Sequence, residues 1–130
     1  MIVPSIKNVE QLGILEIGDE IKRLSDLAKA RKLSNKELQG GTFSVSSLGG
    51  IGGKFFTPII NPPEVAILGI SKVFEQLQLV KNKPQTRSIL PLSLSYDHRV
   101  INGAYAAGYI TNLSKMLADT SWIKENLDHG

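Results

Sequence analysis

Histidine is the scarcest side chain able to move a proton in this sequence, with two copies among 130 residues. His98 directly follows an alternating stretch that ends at Tyr96, stands between Asp97 and Arg99, and precedes Asn102-Gly103, where a helical pattern opens. A histidine at the end of a buried strand can be held rigidly while its ring faces a cleft, which is what a general base requires. The plainer alternative is a histidine that only bonds neighbouring loops. Asp97 and Arg99 read as an ion pair shaping the turn, not as a catalytic dyad. His129, one residue from the C-terminus, reads as a solvated tail residue.

Ser46 and Ser47 end a second alternating stretch, just ahead of Gly49-Gly50-Ile51-Gly52-Gly53-Lys54. A hydroxyl there can donate to a developing oxyanion, with loop amides in support. Ser46 as a nucleophile activated by His98 is the covalent alternative, and it predicts labelling of Ser46 by an organophosphonate. Serines before glycines also simply satisfy turn backbone. The glycine pairs lack the spacing of a P-loop, and Phe55 stands where Ser or Thr should follow the lysine. Prolines rather than a helix come next, which argues against a dinucleotide fingerprint. The absence of cysteine excludes a disulfide scaffold, cysteine-ligated zinc, an iron–sulfur site and a thiol nucleophile; two isolated histidines offer no transition-metal site.

These groups must be carried by a frame of helices and strands. Met1-Ile2-Val3-Pro4 reads as the tail of a strand, and Asn8 with Gln11 as a helix N-cap pair. Ile14, Ile17, Ile21, Leu24 and Ala28 form an apolar stripe among charged residues, despite Gly13 and Gly18. Ser34 to Glu37 is a second capping box, opening a short helix that Gly40-Gly41 ends. From Thr42 to Ser46 the period becomes two, with Phe43 and Val45 on one face and Thr42, Ser44 and Ser46 on the other. A Gly- and Pro-rich loop follows over 47–63, then a buried strand, Val65 to Ile70. Asn82-Lys83-Pro84 separates two extended segments, roughly 73–81 and 86–96. Ala104 to Leu117 reads as a helix with Ala106, Ile110, Leu113 and Leu117 on one stripe, and Ser121 to Leu127 as a terminal helix. The class is α+β, with an antiparallel or mixed sheet flanked by helices.

Composition narrows the partners. Fifteen basic and twelve acidic residues give +3 without clustering, and only eight aromatics are present, a poor basis for gripping nucleic acid. No apolar run is long enough to span a bilayer, and no leader pattern opens the chain, so a soluble, unexported protein is expected with no membrane partner. One domain is the expectation at this length.

Three stretches occur in fixed order: Gly40-Gly41-Thr42-Phe43-Ser44-Val45-Ser46-Ser47-Leu48-Gly49, then Phe56-Thr57-Pro58-Ile59-Ile60-Asn61-Pro62-Pro63-Glu64-Val65-Ala66-Ile67-Leu68-Gly69, then Ser95-Tyr96-Asp97-His98-Arg99-Val100-Ile101-Asn102-Gly103-Ala104. Together they closely resemble the catalytic domain of the dihydrolipoamide acyltransferases, the core components of 2-oxoacid dehydrogenase complexes, from about Val3 to Leu127. The resemblance implies a chloramphenicol-acetyltransferase-like fold and a homotrimer with active sites between subunits, assembled into a hollow cubic or icosahedral core. It implies transfer of an acyl group between a lipoyl arm, carried on a separate domain, and coenzyme A, without a metal. By the same resemblance His98 is the base of a His-x-x-x-Asp-Gly motif and Ser46 the oxyanion donor, the two supplied by neighbouring subunits. Asn102 stands where the family usually has Asp, and it is expected to order the turn.

The resemblance covers somewhat more than the C-terminal half of the family's domain. Residues 1–130 are therefore expected to be that part alone. The N-terminal half, the lipoyl and peripheral-subunit-binding domains, and the dehydrogenase and dihydrolipoamide dehydrogenase components are then the implied partners. Ser46-Ser47-Leu48-Gly49-Gly50-Ile51-Gly52-Gly53 looks more like the acetyltransferases of pyruvate dehydrogenase complexes than like succinyltransferases. A branched-chain or succinyl enzyme, or a catalytically silent core-forming fragment, are the alternatives. The implied location is the bacterial cytoplasm or the mitochondrial matrix.

Overall fold

A computed structural model describes residues 2–128. His129 and Met1 lie outside the described residues. Two compact units divide the chain: Thr42–Ile110, and the described parts of Met1–Gly41 with Thr111–Gly130.

In the latter unit, Ile2 to Pro4 is not the strand tail expected. Pro4 offers no donor, and the nearby bonds are single ones, from the Ser5 amide to the Glu37 carbonyl at 2.8 Å and from the Ser5 hydroxyl to the Gln39 carbonyl at 2.9 Å. The first helix also starts later than Asn8. Asn8 adopts φ 50° before a single 3-10 turn, Val9–Gln11, and its side chain caps nothing. Helix α1 is Ile14–Lys29, with extended Gly13 at its N-cap and the Glu16 carboxylate accepting the Gly13 amide at 2.7 Å. Gly13 thus escapes the helix interior, where its entropy would cost about 1 kcal/mol. Leu24 is the buried centre of the stripe, while Ile14 and Ile21 stay exposed. Helix α2, Asn35–Leu38, has the predicted box: Glu37 accepts the Ser34 amide at 2.8 Å and hydroxyl at 3.0 Å. Arg23 joins α1 to α2 by bonding Glu20 and Glu37 at 2.7 and 2.9 Å.

Thr42–Ile110 holds all five strands found among the described residues: β1 (Ser44–Ser47), β2 (Ala66–Ile70), β3 (Phe74–Val80), β4 (Lys83–Ile89) and β5 (Leu92–Tyr96). They form a mixed sheet in the order β1-β2-β5, with β1 parallel and β5 antiparallel to β2, and a separate β3-β4 hairpin. The run over 86–96, read as one extended segment, is thus two strands in two sheets. Leucine alternation passes through Leu90, Leu92 and Leu94 unbroken, but Pro91 between them is buried, has no amide to pair, and turns its carbonyl to the Ser71 amide at 3.1 Å. The hairpin turn is Lys81-Asn82, both left-handed (φ 52° and 61°), the two-residue geometry that matches strand twist. Lys83 and Pro84 belong to β4 and not to a break.

Helix α3 is Gly103–Ala118 and α4 is Thr120–Asp128. The Asp119 carboxylate opens α4 by accepting the Ser121 and Trp122 amides at 3.0 and 3.1 Å, and α4 packs against α1. Among the described residues no helix is long and apolar enough to cross a membrane.

Candidate active site

His98 sits in a turn that leaves β5 and enters α3. The Asp97 amide donates to the Val65 carbonyl at 2.8 Å, so the turn is anchored where β2 begins. The Val100 and Ile101 amides both donate to the Asp97 carbonyl, at 3.0 and 2.9 Å, closing the backbone around His98. Asp97 Oδ1 takes the Arg99 amide at 3.0 Å, and Oδ2 takes an Arg99 guanidinium N–H at 2.7 Å. These bonds from Arg99 hold the Asp97 carboxyl down at about 2. The pair shapes the turn, as read from sequence. Asn102 then caps α3: its Oδ1 accepts the Tyr105 amide at 2.8 Å.

The imidazole itself is exposed and makes no hydrogen bond among the described residues. Its close neighbour is Tyr96, the last residue of β5, with ring centroids 5.6 Å apart and planes tilted by 40°. A Cβ on Gly103 would stand 3.9 Å from His98 Nε2 and 3.6 Å from the Tyr96 hydroxyl oxygen.

Ser46 lies near the end of β1, half-buried, and its hydroxyl has no partner among the described residues. The adjacent Ser44 hydroxyl is spent on Glu64, at 2.5 Å. That bond explains an inverted strand: Ser44 is buried, whereas apolar Phe43 and Val45 are exposed. Register places Ser46, Gly69 and Ser93 across one face of the sheet. Over Gly69 lies Phe56, so close that a Cβ on that glycine would come within 2.8 Å of the ring tip and 3.2 Å of Pro58 Cγ. Loop amides are less available than the sequence suggested. Leu48 donates to Ile70, and Ile51 and Gly52 both donate to the Leu48 carbonyl, at 2.9, 3.0 and 3.2 Å. Lys54 is drawn over the Phe74 ring, 4.9 Å from its centroid.

The turn joins His98 and Asn102, but the chain does not bring Ser46 to them. Ser46 is level with Ser93, and Tyr96 is three residues further along β5. At strand dimensions that puts Tyr96 roughly 14 Å from Ser46, with His98 past it. Sequence reading missed Tyr96 and Gly69 as neighbours of the site. Their signals were there: a tyrosine closes the strand just ahead of the histidine, and a lone glycine inside an apolar strand marks close approach of another segment.

The fold is that of part of an acyltransferase catalytic domain. Residues 1–123 match the family described as 2-oxoacid dehydrogenases acyltransferase (catalytic domain), and the chain belongs to that family. Among its relatives is the dihydrolipoyllysine-residue acetyltransferase component of the pyruvate dehydrogenase complex of Cupriavidus necator, 50% identical over 119 residues, covering 92% of this chain and 22% of that protein. The component of the same name from Buchnera aphidicola is 50% identical over 125 residues, covering 95% of this chain and 31% of that one. The dihydrolipoamide acetyltransferase of Azotobacter vinelandii superposes with a TM-score of 0.86 at 50% identity, covering 91% of this chain and 49% of that chain. The cubic core of a pyruvate dehydrogenase multienzyme complex gives 0.86 at 51%, with the same coverage. The chain thus spans about a fifth to a third of the curated relatives and about half of the solved cores.

The Azotobacter structure was used to investigate the roles of a serine, a histidine and an asparagine in that enzyme's catalytic mechanism. Those three stand 52 and then 4 positions apart, as do Ser46, His98 and Asn102 here. An asparagine four residues after the histidine is therefore shared with that enzyme and is not peculiar to this chain.

Proposed function

We propose that the chain is the C-terminal part of an acetyltransferase catalytic domain that moves acetyl between a dihydrolipoyl arm and coenzyme A, at a site shared by neighbouring subunits of a homotrimer. The observation that carries this reading is the separation of two unspent groups, the His98 imidazole and the Ser46 hydroxyl, at opposite ends of one sheet, in the same spacing as the trio studied in the Azotobacter enzyme.

The coenzyme A thiol supplies the nucleophile and the lipoyl thioester the acyl group. His98 accepts the thiol proton as the sulfur bonds to the carbonyl carbon. Ser46 donates its hydroxyl hydrogen bond to the oxygen that gains charge. As the bond to the lipoyl sulfur breaks, His98 returns the proton to that sulfur, and no acyl group passes through the protein. Asn102 acts by capping α3 and so holding the His98 turn, a contribution of about 1 kcal/mol for such a cap.

The assembly reading has its own support. The β3-β4 hairpin is exposed on nearly every residue, with Leu77 and Leu79 open to 72% and 77%, and an isolated hairpin is marginal in water. Trimers would build the larger core, with lipoyl domains, the remaining half of the domain and the dehydrogenase components as partners. The named relatives are bacterial, which supports the cytoplasm as the place of work.

Mixing separates a shared site from one completed within a chain. His98→Ala and Ser46→Ala proteins, each nearly inactive, are unfolded together at equal ratio and refolded. Random trimers then regain roughly a quarter of their intact sites, each pairing a wild-type histidine with a neighbour's wild-type serine. Recovery of acetyl transfer from acetyl-CoA to dihydrolipoamide towards that fraction is expected. Activity no higher than that of the separate variants rules the shared site out.

A further inference from the structure

We infer that Tyr96 is the positioning residue of His98: its ring fixes the rotation of the imidazole, so that one particular ring nitrogen faces the substrate thiol. The inference deepens the acyl-transfer reading and rests on it for its kinetic consequence, though not for the ring geometry.

The turn bonds around Asp97 fix the His98 backbone but leave the two side-chain torsions free. A base with a directional lone pair needs those torsions set as well. The side-chain acceptor oxygens of the turn are committed elsewhere. Asp97 is taken by Arg99, through both the amide and the guanidinium. Asn102 Oδ1 is taken by the Tyr105 amide as the cap of α3. Among the described residues the Tyr96 ring lies beside the imidazole, at 5.6 Å and 40°, and the start of α3 at Gly103 lies near its Nε2. That distance and tilt lie in the attractive range for aromatic pairs. Tyr96 is itself well placed to serve as a fixed wall, since β5 pairs it with Ala66 in the sheet and it is half-buried.

Alkylation reads the ring directly. The chain has no cysteine, so in a His129→Gln background His98 is its sole thiol-or-imidazole target for iodoacetamide. Peptide separation then gives the ratio of Nδ1- to Nε2-alkylated histidine in the assembled protein. A strong preference for one isomer is expected in this background and with Tyr96→Phe, which keeps the ring. Tyr96→Leu should give a mixture, and Tyr96→Met serves if the leucine variant does not assemble. In acetyl transfer, Tyr96→Leu should lower kcat about tenfold with KM for coenzyme A within about twofold, and Tyr96→Phe should restore kcat to within about twofold. Unchanged isomer preference in Tyr96→Leu or Tyr96→Met overturns the proposal, as does a mixture in the parent. Full turnover by His98→Ala, run alongside, would instead remove the acyl-transfer reading while leaving the alkylation result to judge the ring.

Discussion

The turn that carries His98 is closed by amides converging on Asp97, anchored to β2 and capped by Asn102, whereas Ser46 rides on a plain strand that runs into glycines. At the first end the ring is flanked by Tyr96 and Gly103. At the second, the hydroxyl has no partner among the described residues, and a Phe56 ring lies on Gly69, the cross-strand partner of Ser46. The difference matches the proposed chemistry. A lone pair on a planar ring points in one direction and must be aimed by its surroundings. A hydroxyl hydrogen rotates to suit its acceptor and needs only a fixed oxygen.

The sharpest way to weigh the two ends is to remove each group in turn. His98→Ala should lose about 10²–10⁴-fold in turnover, as general acid–base groups do. Ser46→Ala should lose about 10²–10³-fold, as single oxyanion donors do. Turnover of dihydrolipoamide with acetyl-CoA measures both, and a near-normal His98→Ala would falsify the assignment of the base. A smaller effect probes the packing beside Ser46. Gly69→Ala forces the Phe56 ring and Pro58 to move, and such overpacking costs about 1–3 kcal/mol. A denaturation midpoint equal to wild type would mean that the loop does not press on the sheet.

Acid gives the smallest effect and tests the His98 end alone. Because Arg99 holds Asp97 at about 2, below the ordinary carboxylate value, the ion pair stabilises the folded turn fully above about pH 4. That contribution fades as pH falls towards 2 and is constant through neutrality. Arg99 is open to solvent and Asp97 half-buried, so the pair's share is small. Amide exchange of Val100 and Ile101 between pH 5 and 2 should quicken more in wild type than in Arg99→Met. Equal acceleration in both would show that the turn is held by its backbone bonds alone.

Much of this is legible in the sequence, for reasons that differ by element. His98, Ser46 and Asn102 stood out because few residue types do their chemistry and the surrounding motifs are long. Helix α3 and strand β2 were legible because their patterns are local. The division at Pro91 was not, since the leucine period is the same on either side and the partners of β4 and β5 are remote in sequence. Nor was the burial of Ser44 over Phe43 and Val45, which depends on a carboxylate twenty residues away. The start of α1 shifted from Asn8 to Gly13 because a glutamate one turn inside the helix, Glu16, does the capping in place of the asparagine.

If His98 and Ser46 act as proposed, their placement towards opposite ends of one short sheet leaves a solitary copy without a complete site. On that reading specific activity becomes a report on association, and it should fall on dilution faster than the protein is lost.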